Sequence, residues 1–151
     1  KHFLGRSPDG YDEMKLHIAV CAAEGISAEE LEQTAELPQN TAYTRYVLEA
    51  GFSGGFLDLI AALAPCVIGY GEIGARLQIE NTSREYKDWI DTYAHPDYQQ
   101  LCVDVGALID QAVYSRLGAG YHQTGRWISL VRHFETATAL ERDFWDMGLR
   151  G

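Results

Sequence analysis

From Phe56 to about Ile79 the chain is apolar almost without a break: FLDLIAALAPCVIGYGEIGARLQI. A run of that length and composition reads as a buried helix about 36 Å long, enough to cross a domain. Cys66 and Tyr70 lie four residues apart within it, so a thiol and a phenol project from one face. Pro65 removes a backbone donor directly before the cysteine. Gly69, Gly71 and Gly74 thin the helix where another backbone or a ligand could approach.

The segments around this helix follow the same period. Residues Tyr11 to Glu24 suit a largely buried helix closed by Gly25, and the Ser27, Glu30 pair is a capping box for a short acidic helix that Pro38 stops. Asn40 or Thr41 can cap TAYTRYVLEAG. Gly51, Ser53, Gly54 and Gly55 mark a break, and Thr82 with Glu85 forms a second capping box for REYKDWIDTYA. Asp97 is placed to cap the helix that ends near Gly118. The last helix is expected from Gln123 to Leu149, with Ile128, Val131, Phe134, Thr138, Glu141 and Trp145 near a common inward face. No alternating strand pattern survives, so the reading is an all-α bundle of about seven helices in one domain, residues 11–151. Residues 1–10 are expected to be loop-like.

Charge and cysteine usage narrow the function. Twelve basic residues against 22 acidic give a formal net charge of -10, which repels nucleic acid and anionic membrane surfaces. Cys21, Cys66 and Cys102 form no CxxC and no paired framework, the usage of a reducing cytoplasm. A chain opening at Lys1 without a Met is expected to have lost its natural beginning.

Each candidate for chemistry has an ordinary alternative. A free cysteine of pKa ~8.5 is only about 3 % thiolate at pH 7, so a nucleophilic Cys66 needs a polar neighbour; otherwise it is a small buried hydrophobe. Glu141 interrupts the inward face of the last helix, where burial would favour its neutral form and suit it as a general acid. It could also be a surface glutamate beside core aromatics. Phe144 and Trp145 could sandwich a flat ring, and Tyr43 and Tyr93 could stack on one or contact it through their hydroxyls, yet all three types also fill cores. Glu13 and His17, at i and i+4, could ligate a metal together with Glu72 or Asp110, but no second Glu-x-x-His pair exists. His2, His95, His122 and His133 have no spacing that distinguishes them.

Four motifs in order, TAYTRYVL, LAALAPCVIGYGEIG, YKDWIDTY and ALERDFWDMG, resemble the TenA/thiaminase II family, helical proteins of the haem-oxygenase-like fold that hydrolyse aminopyrimidines in thiamin salvage. By that resemblance Cys66 is the nucleophile and Glu141 the acid/base, while Tyr43, Tyr70, Tyr93 and Phe144 contact the pyrimidine. It implies a small pyrimidine substrate, no metal, no cofactor and a homotetramer. It also implies an earlier segment, absent here, whose helices supply an aspartate for the pyrimidine amine edge. Two other functions stay open: a non-catalytic pyrimidine-binding or regulatory member of the fold, and a metal-dependent oxidase on a related bundle.

Overall fold

A computed structural model describes residues 13–80 and 84–150. Among them are seven α-helices and no strand, as the hydrophobic period predicts. The loop expected at residues 1–10 lies outside the described residues.

Helices α1 (Glu13–Ala23) and α2 (Ala28–Gln33) belong to a compact unit ending at Glu36. The Ser27 capping box forms: the Glu30 amide donates to Ser27 Oγ at 3.2 Å and the Ser27 amide to Glu30 Oε2 at 2.8 Å. The Ser27 amide, joined by its hydroxyl donating to the same oxygen, holds the Glu30 carboxyl below its usual range. The buried character expected of α1 is not found, since Ile18 and Val20 are exposed. Its mixture of Ile, Val, Cys and Ala has no polar face to define a stripe, so apolar content alone overstated burial.

The second unit, beginning at Leu37, holds α3 (Pro38–Glu49), α4 (Phe56–Glu80), α5 (Lys87–Ala94), α6 (Pro96–Leu117) and α7 (Gly125–Arg150). Two prolines open helices here where the reading put caps further on. Pro38 and Pro96 take the first helical position, where a missing N–H is harmless and the fixed φ suits the turn. Asn40 and Thr41 therefore lie inside the first turn of α3. His95, not Asp97, caps α6, its Nδ1 accepting from the Asp97 amide at 3.2 Å. Thr82, half of the second predicted capping box, lies outside the described residues.

Between α3 and α4 a single π-helical turn, Ala50–Gly54, ends at Gly55, whose φ of 110° favours glycine. Helix α4 continues through Pro65 and is the axis of this unit, packed by α3, α5, α6 and α7. By length and composition alone it could cross a membrane; here Leu57, Ala62, Ala64 and Val67 are buried against other helices. One core cluster joins Leu57 of α4, Ala112 and Val113 of α6 and Leu130 of α7. A second joins Ala50, Ala62 and Ala137, with Tyr43, Tyr46 and Val47 of α3 packed against them.

The rotation of α7 corrects the expected face. Leu130, Ala137 and Glu141 are buried, whereas Ile128, Phe134, Thr138 and Trp145 are substantially exposed. Ala62 and Ala137 both have 0 % exposure, and only small side chains let α4 and α7 approach that closely. Fit at that crossing outweighed the larger apolar side chains one residue away.

Gly74 explains how α5 is set against α4. A Cβ there would lie 2.8 Å from the Tyr93 carbonyl carbon, so only glycine admits the α5 backbone. Gln99 of α6 fastens the same corner, donating to the carbonyls of Gly71 at 2.9 Å and Tyr93 at 2.8 Å.

Candidate active site

Helices α4 and α7 meet along a seam with a repeat of four residues: Asp58, Ala62, Cys66 and Tyr70 on one, His133, Ala137, Glu141 and Trp145 on the other. The two alanines pack in a single buried cluster, and the layers on either side of them are polar.

The layer towards the C-terminal ends contains Cys66, Glu141 and, from α3, Tyr43. Burial pushes the Tyr43 phenol well above its ordinary pKa. The neighbouring Cys66 thiol and Glu141 carboxyl push it the same way, so Tyr43 is where the sulfur and the acid meet. All three groups are close enough to act on one another, although the Tyr43 hydroxyl and Glu141 Oε2 are buried without a hydrogen bond of regular geometry among the described residues. The Cys66 thiol donates to the Leu63 carbonyl at 3.1 Å, within the helix turn next to Pro65. Phe144 stands beside Tyr43, ring centroids 6.5 Å apart and tilted by 48°.

One turn further along the seam is an aromatic box. The Tyr70 ring lies 5.1 Å from Tyr93, 5.3 Å from Trp145 and 5.9 Å from Trp89, and Trp89 lies 4.6 Å from Tyr93. Tyr93 is only 1 % exposed and meets Tyr98 edge-on at 4.9 Å. Tilted and edge-on contacts at these distances are the favoured aromatic geometries, and they make a stiff wall. The six residues expected to act thus fall into two adjacent groups on four helices: Tyr43, Cys66, Glu141 and Phe144 in one, Tyr70 and Tyr93 in the other. Trp89 completes the second group, and the repeated aromatic at i and i+4 in WIDTY was its signal.

Towards the N-terminal ends of the seam, Asp58 is 1 % exposed and receives both prongs of the Arg126 guanidinium, Nη1 to Oδ1 at 2.6 Å. Arg126 holds the Asp58 carboxyl below its usual pKa, and His133 adds to that. His133, expected to be ordinary, lies with Nε2 3.2 Å from Asp58 Oδ1 and Nδ1 2.9 Å from the Tyr46 hydroxyl. Tyr46, Asp58 and Arg126 were not singled out by the sequence; a lone aspartate two turns before Cys66 was the available sign.

Of the proposed metal ligands, the Glu13 and His17 side chains lie outside what the structure describes, and Glu72 and Asp110 are exposed. Among the described residues no group of three His, Cys, Asp or Glu side chains could hold a metal ion. A shallow depression lined by Phe134, Glu135, Thr138, Ala139 and Arg142 contains none of the expected site residues.

The order of the helices and the seam between them have counterparts elsewhere. Residues 9–151 match the model of the TENA/THI-4/PQQC family. The chain belongs to that family. A Haemophilus influenzae protein of uncharacterised function is 35 % identical, the match covering 91 % of this chain and 62 % of the relative. An aminopyrimidine aminohydrolase from Halalkalibacterium halodurans is 37 % identical over 89 % of this chain and 59 % of the relative. The crystal structure of a TenA family transcription regulator from Silicibacter sp. TM1040 superposes with a TM-score of 0.89 at 58 % identity, over 93 % of this chain and 62 % of that one. This TENA/THI-4/PQQC chain therefore spans about 60 % of the length of those relatives.

Proposed function

We propose that this protein is an aminopyrimidine aminohydrolase of the thiaminase II type, acting in thiamin salvage, with Cys66 as nucleophile and Glu141 as acid/base. The observation that carries this reading is the Tyr43 hydroxyl, buried between a thiol and a carboxyl that both act on it. Kinship to the Halalkalibacterium aminohydrolase supports it.

The chemistry fits a flat, electron-poor ring against the wall of Tyr70, Trp89 and Tyr93. The Cys66 sulfur forms a bond to a ring carbon, the electron pair moves to a ring nitrogen, and that nitrogen takes a proton. With aromaticity lost, the C–N bond of the exocyclic aminomethyl group breaks and the amine leaves as ammonia, carrying a proton relayed by Glu141. Water adds to the methylene left behind, giving up a proton to Glu141. The ring nitrogen then gives up the proton it took, and expulsion of the cysteine sulfur restores the ring. Glu141 gives a proton in one half and takes one in the other, which an acid/base group of carboxyl type can do. Tyr43 stays protonated and acts as a hydrogen-bond donor rather than a base.

The decisive experiment is Cys66→Ser in the full-length gene product, assayed for release of ammonia from 4-amino-5-aminomethyl-2-methylpyrimidine. Turnover should fall by about a thousandfold or more, as expected for loss of a covalent nucleophile; unchanged turnover removes Cys66 from the mechanism. The same reading carries a cytoplasmic homotetramer with a small pyrimidine as its ligand. Sedimentation of the full-length protein as a monomer at micromolar concentration would overturn the assembly. The kinship to a protein described as a transcription regulator raises a non-catalytic alternative. Pyrimidine binding by calorimetry with no ammonia released would favour it, although a net charge of -10 opposes direct contact with DNA.

A further inference from the structure

The polar layer around Asp58 is larger than its charge requires. The two prongs of Arg126 already neutralise the carboxylate, yet the bonding continues through His133 to Tyr46 on a third helix. An ionised Asp58 only accepts, so His133 Nε2 donates to it, and Nδ1 on the far side of the ring shares a hydrogen bond with the Tyr46 hydroxyl.

Helix α3 has little else to set its position. It has no side-chain bond at its N-cap and no buried residue of its own, and Tyr43, Tyr46 and Val47 pack against a floor of alanines. Smooth alanine surfaces resist sliding weakly. Tyr46 and Tyr43 are one turn apart on this rigid helix, so an anchor at the first sets where the second reaches.

We propose that Arg126, Asp58, His133 and Tyr46 form a positioning chain that fixes α3 in the register placing the Tyr43 hydroxyl between Cys66 and Glu141. This rests on the reading of Tyr43, Cys66 and Glu141 as the reacting layer. The four residues act through Tyr43 and touch no substrate. Gly54 belongs to the same device: a Cβ there would collide with the Asp58 side chain, so the π-helical turn leaves room for the carboxylate to meet Arg126.

The test is a double-mutant cycle between Tyr46→Phe, which removes only the donor hydroxyl, and Tyr43→Phe, in the full-length protein. The first readout is the rate of Cys66 alkylation by iodoacetamide, followed by peptide mapping to separate it from Cys21 and Cys102; it needs no turnover. Tyr46→Phe should change that rate by roughly threefold or more when Tyr43 is present and by less than about 1.5-fold when it is absent. The kcat for aminopyrimidine hydrolysis should follow the same pattern, with circular dichroism unchanged. Equal effects in both backgrounds, or no change in the alkylation rate, overturn the proposal. Gly54→Ala keeps every bonding group and presses on Asp58 alone; it should reproduce the Tyr46→Phe change, and an unaltered Cys66 rate there also counts against the chain. If the wild-type protein releases no ammonia, the proposed activity fails, and the alkylation cycle still decides the positioning role.

Discussion

The Asp58 layer and the Cys66 layer sit on the same two helices, two turns apart, and differ in how completely their polar groups are paired. Asp58 has partners on both oxygens, His133 on both nitrogens, and Tyr46 on its hydroxyl. On the other side of Ala62 and Ala137, the Tyr43 hydroxyl and Glu141 Oε2 make no hydrogen bond of regular geometry among the described residues, only close approaches between Tyr43, Glu141 and Cys66. Buried polar groups normally find well-formed partners, so a loosely paired set beside a thiol is suited to receive a ligand's polar groups. A saturated layer resists change, whereas an unsaturated one is stabilised by what binds there. Two carboxylates of similar burial thus hold opposite offices on one seam.

The sharpest way to break this contrast is to make the same change in both layers. Glu141→Gln should lower aminopyrimidine turnover by about a hundredfold or more, the usual worth of a positioned proton donor, while leaving the urea midpoint unchanged or raised. Asp58→Asn should do the reverse to stability: losing the charged partner of Arg126 should lower the unfolding free energy by about 3 kcal/mol in urea titrations. If both amides destabilise alike, the two layers are equivalent and the distinction fails.

The pH profile separates them as well. Arg126 depresses the folded-state pKa of Asp58 below the ordinary 3.8, so its contribution is complete above 3.8 and is lost as pH falls through the lower folded value. Melting temperatures measured from pH 6 to pH 2 should show that loss in the wild type and much less of it in Arg126→Met. Tyr43 works in the other direction. Its folded pKa is raised, so its contribution is present below the ordinary 10.0 and is lost as pH rises from there through the raised folded value. In an absorbance titration of the folded protein to pH 11, Tyr43→Phe should leave the phenolate signal unchanged.

Smaller effects bound the comparison. Gly74→Ala, which forces a methyl against the Tyr93 backbone, should destabilise by about 1–3 kcal/mol and weaken pyrimidine binding through displacement of the aromatic wall. Phe52→Ser, at 87 % exposure, should move stability by no more than about 0.5 kcal/mol.

Local chemistry made much of this legible. Helical period predicted the all-α architecture, Ser27 and Glu30 announced their capping box, and Gly74 signalled a close backbone approach that Tyr93 supplies. The i, i+4 spacing of Cys66 and Tyr70 placed both on one face of α4 before any partner helix was known. Pro38 and Pro96 also open helices, because the fixed φ that keeps a proline out of a helix interior suits its first position.

What the sequence determined by itself was each helix and the stripe along it, because those depend on neighbours within a turn or two. Which stripe met which was decided only in three dimensions. The fit of Ala62 against Ala137 chose the rotation of α7, turning Phe134 outward and Glu141 inward. The pairing of Asp58 with Arg126, 68 residues away, and with His133 follows from that rotation, and periodicity carries no information about it. Packing at a crossing depends on the volumes of both surfaces at once, and a single strand of text lists them separately.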